Sequence, residues 1–201
     1  MTPSRVIVVA GGPCAGKTKA LAFLSRELTD RGWSLVMVPE CATMLIEAGI
    51  SPQTATRMGF QTAVFELQLA QEEVFLAAAD RVTSDKVLVV CDRGLMDGGG
   101  YLSDDEFDAI MREHEVTREA AFARYGAVFH LESVARSTHG TYSHKSNASR
   151  MEDPEEAARI DDRIASMWQG HPHWRHIPSR ESFEEKAEYL LEEVLDFLDT
   201  K

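Results

Sequence analysis

The sequence predicts an α/β fold in which a five-stranded parallel sheet carries helices on both faces. Short apolar runs alternate with longer segments whose apolar residues recur at helical spacing, a pattern typical of parallel strands joined by helices. The apolar runs are continuous instead of alternating with polar residues, as in strands that are covered on both faces. Because the chain has 201 residues, we expect a single domain.

The predicted strands are short runs rich in valine, isoleucine and leucine. The run at 5–10 ends at two glycines, and such bounded apolar runs are typical of buried strands. The run at 86–92 is the most apolar, which favours a position at the centre of the sheet. In chain order, strands are predicted at 5–10, 34–39, 86–92, 127–132 and, more weakly, 174–178.

The predicted helices lie between and after these strands. Gly32 follows the first helix and is typical of a helix end, whereas Asp153-Pro154 combines an N-cap residue with a first-turn proline. The helices are predicted at 17–31, 60–80, 104–124, 153–169 and 181–199.

Composition excludes several classes of partner. The chain has 21 Lys and Arg against 33 Asp and Glu, a formal net charge of −12, which argues against nonspecific binding to long nucleic acid or to anionic membranes. No run reaches the ~20 apolar residues of a membrane span, and the N-terminus lacks a signal-peptide cleavage site. Three cysteines are an odd and sparse number, which favours a reducing compartment. We therefore expect a cytoplasmic protein without a membrane partner.

A phosphate-binding motif follows the first predicted strand, in the pattern G-x-x-x-x-G-K-[ST]. Backbone N–H groups of such a loop and the N-terminus of the next helix bind phosphate oxygens, while Lys17 neutralises them and the Thr18 hydroxyl ligates Mg²⁺. No guanine-specific Asn-Lys-x-Asp motif is present, so ATP is the expected nucleotide. The predicted ATP-binding residues are Gly11, Gly12, Pro13, Cys14, Ala15, Gly16, Lys17, Thr18 and Lys19.

Two charged residues end the third predicted strand. Ligands of parallel α/β folds bind at the carboxyl ends of the strands, so Asp92 is the natural second ligand of a magnesium ion. Arg93 follows directly and can hold a transferring phosphoryl group through paired hydrogen bonds. The structural alternatives are a turn residue for Asp92 and an ion pair with a nearby acid for Arg93.

A further carboxylate, Glu40, follows the second predicted strand. At this strand end it would lie across the cleft from the γ-phosphate, where a base takes the proton of an acceptor hydroxyl. The alternative is that Glu40 caps a helical segment at 41–48.

Together these residues resemble the P-loop nucleoside and nucleotide kinases. The elements shared with them are the loop Gly11–Thr18, Pro39-Glu40, Phe60-Gln61 and Asp92-Arg93-Gly94. The Pro-Glu and Phe-Gln elements are similar to those of deoxynucleoside kinases. This resemblance implies that Glu40 is the general base and that Gln61 recognises the nucleobase. The substrate-binding residues are accordingly predicted to be Glu40, Arg57, Phe60, Gln61, Arg93 and Asp97.

The second half of the chain resembles an AAA-type ATP-binding family that is related to the ribosylnicotinamide kinase domain of a bacterial NAD-biosynthesis regulator. The residues that carry this likeness are His130-Leu131, Asn147, Arg150, Asp161, Arg163, Trp168 and Gly170-His171-Pro172-His173. Both resemblances imply a P-loop NTPase fold over residues 1–201.

The stretch 133–151 contains no acidic residue, although residues 92–201 hold 24 acidic against 13 basic ones. Composition alone is equally consistent with a solvated loop at 133–151. P-loop kinases carry a mobile lid at this place, so the resemblance implies that Arg136, Lys145 and Arg150 bring positive charge to the phosphoryl group. The predicted catalytic residues are then Lys17, Glu40, Asp92, Arg93, Arg136 and Arg150.

Two other groups of residues are weaker candidates. His171, His173 and His176 could form a metal cluster, but without cysteine partners surface histidines in a turn are favoured. The glycines at 98–100 predict a flexible loop near the acceptor, in which Asp97 could hydrogen-bond a substrate hydroxyl.

Two functional classes follow from these patterns. The favoured one is an ATP- and Mg²⁺-dependent kinase acting on a nucleoside-like acceptor, either free or as a modified base in DNA, with a homodimer possible. The alternative is a nucleotide-driven switch in which water replaces the acceptor and a protein partner senses the state. The switch predicts no acceptor pocket. A third option, a nucleotide-binding protein without turnover, is weaker.

Overall fold

The computed structural model describes residues 5–134 and 153–200. Its five strands are β1 (Val6–Ala10), β2 (Ser34–Val38), β3 (Val87–Asp92), β4 (Ala127–Leu131) and β5 (Trp174–Ile177). Its helices are α1 (Lys17–Asp30), α2 (Cys41–Glu47), α3 (Arg57–Ala79), α4 (Asp104–Glu113), α5 (Arg118–Phe122), α6 (Pro154–Met167) and α7 (Phe183–Asp199), with a 3₁₀ segment at Leu95–Tyr101.

The strands form one parallel sheet in the order β2-β3-β1-β4-β5. This confirms the predicted five-stranded parallel sheet. The strand order places the carboxyl ends of β2, β3 and β1 side by side at one edge of the sheet, which brings Glu40, Asp92 and the loop after β1 together.

Successive residues of the central strand β1 enter two separate cores. Val6 and Val8 pack on one face with side chains of α3, α4, α6 and the 3₁₀ segment, whereas Ile7 and Val9 pack on the other face with α1 and α7. Every residue of β1 is buried, which explains why its sequence is continuously apolar.

Two helical predictions differ from the structure. The predicted helix 104–124 is two helices: Glu115 has a φ of 55° after the end of α4, and Thr117 then caps α5 by accepting a hydrogen bond from the Ala120 N–H. The predicted helix 60–80 begins three residues earlier, because Thr56 accepts from the Gly59 N–H as its N-cap.

The prediction of a flexible loop at 98–100 is wrong. Gly99 and Gly100 are buried in the 3₁₀ segment and lie directly against Met167 and Ile164 of α6. The absence of a Cβ at these positions allows close packing here and does not produce a mobile loop.

Most of the predicted lid, with Arg136, Lys145 and Arg150, lies outside the described residues. Within the described residues, no helix has both the length and the apolar character needed to cross a membrane.

Candidate active site

The loop between β1 and α1 has the backbone of an anion-binding turn. Gly11, Cys14 and Gly16 have φ values of 138°, 59° and 83°, so the chain turns sharply before α1 begins. Gly16 is the N-cap residue of α1 and provides no side-chain cap, which leaves the first N–H groups of this helix available to phosphate oxygens.

Lys17 lies folded over this loop. Its Nζ donates to the carbonyl oxygens of Gly11 at 2.7 Å and Gly12 at 3.0 Å. Burial, assisted by the neighbouring Arg93, lowers the pKa of Lys17 to about 8, against the opposing attraction of nearby carboxylates. The lysine is therefore a desolvated cation beside the N-terminus of α1, where a phosphate would satisfy it.

Asp92 lies beside the loop, because it ends β3 in register with Val9 of β1. Its Oδ1 is buried and has no hydrogen-bond partner among the described residues, and burial raises the pKa of this carboxyl group. Thr18 is exposed in the first turn of α1. An orphaned carboxylate oxygen and a hydroxyl in the first turn of α1 are of the chemical type that fits Mg²⁺, which prefers hard oxygen ligands.

Arg93 connects the loop to Glu40. Its Nε donates to Glu40 Oε1, one Nη donates to the Gly11 carbonyl at 3.1 Å, and its guanidinium carbon lies 5.9 Å from the centre of the Tyr101 ring. The ion pair proposed as a structural alternative for Arg93 therefore exists, and its partner is the candidate base itself.

Glu40 occupies the N-cap position of α2, but its side chain forms no cap hydrogen bond. Instead, its carboxylate accepts from Arg93 and from the Thr43 hydroxyl at 2.6 Å. Burial alone would raise the pKa of Glu40, but Arg93 and Lys17 outweigh it and bring the pKa to about 2. The side chain is an ionised group of the cleft, and the capping alternative does not describe it.

A cavity of about 520 Å³ opens beside this charged pair, between α2, α3 and the 3₁₀ segment. Glu40 and Arg93 lie in its wall. The remaining lining combines aromatic rings with amide side chains, among them Phe60, Phe65, Tyr101, Gln53, Gln61 and Gln68. Its volume is within the range of ordinary small-molecule sites.

Five of the six predicted substrate-binding residues line this cavity, namely Glu40, Phe60, Gln61, Arg93 and Asp97. Arg57 lies elsewhere: its side chain is exposed and contacts Glu106 at 3.2 Å. Asp97 uses both carboxylate oxygens for the protein, accepting from the Gly94 N–H at 2.7 Å and from Trp168 Nε1 at 3.2 Å. It thus fixes the start of the 3₁₀ segment.

The histidine cluster does not form a metal site. His171 is buried, not exposed as expected, and its Nε2 lies 3.1 Å from the Tyr125 carbonyl. Within residues 5–134 and 153–200 there is no group of three or more His, Cys, Asp or Glu side chains that could hold a metal ion.

Several residues around the site were not identified from the sequence. Thr43, Gln68 and Tyr101 contact the Arg93–Glu40 pair or its backbone. Asp161 and Lys186 hydrogen-bond to the backbone of the phosphate loop at Gly12 and Ala15. Asp161 was noted only as part of the family resemblance and was given no role, and nothing in the sequence singled out Lys186.

A family model described as an AAA domain matches residues 6–186, which is most of the chain. Comparison with curated proteins gives no match.

Proposed function

The chain belongs to the AAA-domain family, a P-loop NTPase family, and from this premise we propose that it is a kinase. In this proposal it transfers the γ-phosphate of ATP to a hydroxyl group of a nucleoside-like acceptor.

The observation that carries the proposal is the cavity beside the phosphate loop. A hydrolytic switch needs room for one water molecule, whereas this cavity of about 520 Å³ suits a small organic molecule. The ionised Glu40 and the cationic Arg93 lie in its wall, on the side nearest the phosphate loop. A hydroxyl group placed there would face both the candidate base and the incoming phosphoryl group.

Phosphoryl transfer depends on positioning and charge more than on covalent chemistry. The loop 11–16 and Lys17 would bind the phosphates. Thr18 and Asp92 would hold Mg²⁺, which neutralises phosphate charge when it is bound. Arg93 would stabilise the charge on the transferred group.

The Arg93–Glu40 pair suggests how the base becomes active. With a pKa of about 2, Glu40 is a weak proton acceptor while Arg93 donates to it. If Arg93 turns from Glu40 to the phosphoryl group, Glu40 loses its strongest partner and its pKa rises. One side-chain movement would then stabilise the transferred charge and free the base.

The lining of the cavity supports a nucleoside-like acceptor. Phe60, Phe65 and Tyr101 offer apolar ring surfaces, and Gln61 offers an amide that can both donate and accept hydrogen bonds. A flat heterocycle joined to a sugar hydroxyl matches this combination. The transfer assay below distinguishes a free nucleoside from a modified base of DNA as the acceptor.

The alternative function is an NTPase switch with a protein partner. Membership of an AAA-domain family is compatible with it. However, no contact of the described site is specific to a switch, whereas the acceptor-sized cavity favours a kinase.

The Glu40→Gln variant tests the proposal. Transfer of labelled phosphate from ATP with Mg²⁺ is measured against nucleosides, nucleotides and DNA that carries hydroxymethylated bases. We expect wild type to label one acceptor class, and Glu40→Gln to lose transfer by about 10²–10⁴-fold while it keeps ATP binding.

Glu47→Gln is the matched control, because Glu47 is the last residue of the helix that Glu40 precedes and is exposed. It should transfer phosphate as wild type does. Label that appears only as free phosphate with every acceptor would favour the switch, and unchanged transfer by Glu40→Gln would reject Glu40 as the base.

A further inference from the structure

A buried polar cluster packs against the phosphate loop, and none of its members lines the cavity. It consists of Asp161 on α6, Lys186 on α7, and His130 and Ser133 in and just after β4. None of the four residues is more than 6% exposed: the values are 1% for Asp161, 4% for Lys186, 2% for His130 and 0% for Ser133. Buried charged groups are costly, so their contacts call for an explanation.

Asp161 is the centre of this cluster. Its Oδ1 accepts from the Gly12 N–H at 2.7 Å and lies 3.2 Å from His130 Nε2, and its Oδ2 accepts from the Ser133 N–H at 3.0 Å. One carboxylate therefore links the phosphate loop to the first residues after β4.

Two more side chains repeat this link. The Ser133 hydroxyl donates to the Pro13 carbonyl at 2.5 Å. Lys186 Nζ donates to the Ala15 carbonyl at 2.9 Å and to the Glu132 carbonyl at 2.6 Å. The loop residues Gly12, Pro13 and Ala15 are thus each joined to residues 132–133 by a buried side chain.

The charge of Asp161 makes its link strong. Burial would raise the pKa of its carboxyl group, but His130 and the N–H groups of Ser133 and Gly12 outweigh burial and hold that pKa below the usual range. An ionised acceptor forms stronger hydrogen bonds than a neutral one. If the loop moved away, a buried carboxylate would lose its donor, which opposes any other loop conformation.

Gly12 gives independent evidence that this contact shapes the loop. A Cβ at position 12 would lie 2.8 Å from the Cβ and 2.9 Å from the Cα of Asp161. The phosphate-binding motif accepts any residue at this position. The glycine is therefore required by the close approach of α6, not by the phosphate.

We propose that Asp161 is a positioning residue of the nucleotide site, which holds the phosphate loop in its binding conformation through the Gly12 N–H. Ser133 and Lys186 support the same conformation from the neighbouring loop residues. The loop would then need no rearrangement when phosphate binds, as is expected of a pre-organised site. This inference rests on the proposed function only as far as nucleotide binding.

The test measures ATP affinity by calorimetry in Asp161→Asn and Asp161→Ala, with the free energy of unfolding of each variant measured in urea. We expect ATP binding to weaken about tenfold or more in Asp161→Asn and further in Asp161→Ala. The order follows because asparagine keeps one acceptor oxygen, while alanine keeps none.

Ile164→Val is the matched control. Ile164 lies one helical turn from Asp161 on α6 and is completely buried, so the variant loses stability without touching the loop. It should keep the ATP affinity of wild type. An equal loss of affinity in Ile164→Val, or wild-type affinity in Asp161→Asn, would overturn the inference.

The proposed function fails in a different way. If wild type binds ATP but labels no acceptor, the kinase is rejected. A tenfold loss of ATP affinity in Asp161→Asn would still support the positioning role in that case.

Discussion

Arg93 illustrates how single residues of this protein are held in place. It is one of three residues other than glycine with a positive φ among the described residues, at 75°. Its N–H donates to the Val9 carbonyl at 3.3 Å, its carbonyl accepts from Gln68 Nε2 at 3.3 Å, and its side chain connects Glu40 with Gly11. Strained backbone of this kind persists where the surroundings over-determine it, as they do at functional sites.

The two side-chain contacts of Arg93 lead to the first prediction. Arg93→Lys keeps the charge, but one ammonium group cannot reproduce the spread of the guanidinium donors. We expect phosphate transfer to fall about 10²-fold or more, with ATP binding reduced much less. Steady-state kinetics and calorimetry measure the two effects.

Arg81→Lys is the control for this change, because Arg81 is exposed and follows the end of α3. Equal transfer by Arg93→Lys and Arg81→Lys would contradict a role of the guanidinium in the reaction.

Lys186 leads to a second prediction, on pH. Burial lowers its pKa from 10.5 to about 8, although Asp161 and Glu132 oppose the shift. Between pH 8 and 10.5 the folded state therefore binds fewer protons than the unfolded state, so the free energy of unfolding rises with pH in this window. This contribution of Lys186 to the free energy of unfolding is lost as the pH falls from 10.5 through 8.

Urea unfolding of wild type and Lys186→Met at pH 7.5 and 9.5 measures this effect. Between pH 7.5 and 9.5, we expect the free energy of unfolding of wild type to rise by about 2 kcal/mol relative to that of the variant. A difference between the two proteins that does not change with pH would show that Lys186 does not titrate there.

At the scale of elements, the 3₁₀ segment Leu95–Tyr101 connects β3 to α4 and forms part of the cavity wall. It is fixed from several sides: Asp97 accepts from the N–H of its N-cap residue Gly94, the Tyr125 hydroxyl accepts from the Leu95 N–H at 3.0 Å, and Arg163 donates to the Gly99 carbonyl at 3.1 Å. A segment held in this way can carry cavity residues without an ordering cost on binding.

The third prediction concerns the glycines of this segment. Gly99→Ala would place a Cβ against Met167, and such overpacking costs about 1–3 kcal/mol. Gly98→Ala is the matched control, because its Cβ would find neighbours at 3.5 Å, an ordinary contact distance. The free energy of unfolding measured in urea should be clearly lower for Gly99→Ala than for Gly98→Ala. Equal stabilities would contradict the close packing on α6.

Across the whole molecule, charge is distributed unevenly along the chain. The net charge is −12, yet residues 1–26 contain no Asp or Glu and include Lys17 and Lys19. A polyphosphate bound at the loop would therefore meet a locally basic segment of an acidic protein, and we predict a compact anion as its ligand in preference to long nucleic acid. A homodimer stays a prediction, and sedimentation equilibrium would test it.

The fourth prediction is that ATP with Mg²⁺ stabilises the folded chain. At 100 times its Kd, a ligand that binds only the folded state adds about 2.7 kcal/mol. Lys17→Met should lose most of this gain, whereas Lys86→Met, a change at an exposed lysine, should keep it. Thermal unfolding with and without ATP compares the three proteins. Equal stabilisation of Lys17→Met and wild type would contradict a nucleotide site on this loop.

The sheet, the phosphate loop and the residues at the strand ends could all be predicted from the sequence. These features depend on local signals: the apolar runs set the strands, the glycines and Lys17 are covalent neighbours, and Glu40 and Asp92 directly follow or end a strand. Local signals gave a wrong prediction at the glycines 98–100, where packing against α6 determines the structure and no flexible loop forms.

Which of these residues contact one another depends on the packing of the whole chain. The partners Arg93 and Glu40 are 53 residues apart, and Asp161 and Gly12 are 149 residues apart. Arg57 was predicted in the acceptor site and instead faces Glu106 at the surface. Such contacts depend on the strand order β2-β3-β1-β4-β5 and on how closely α6 approaches the loop. A single sequence does not encode these distances locally, because they arise only when the whole core packs.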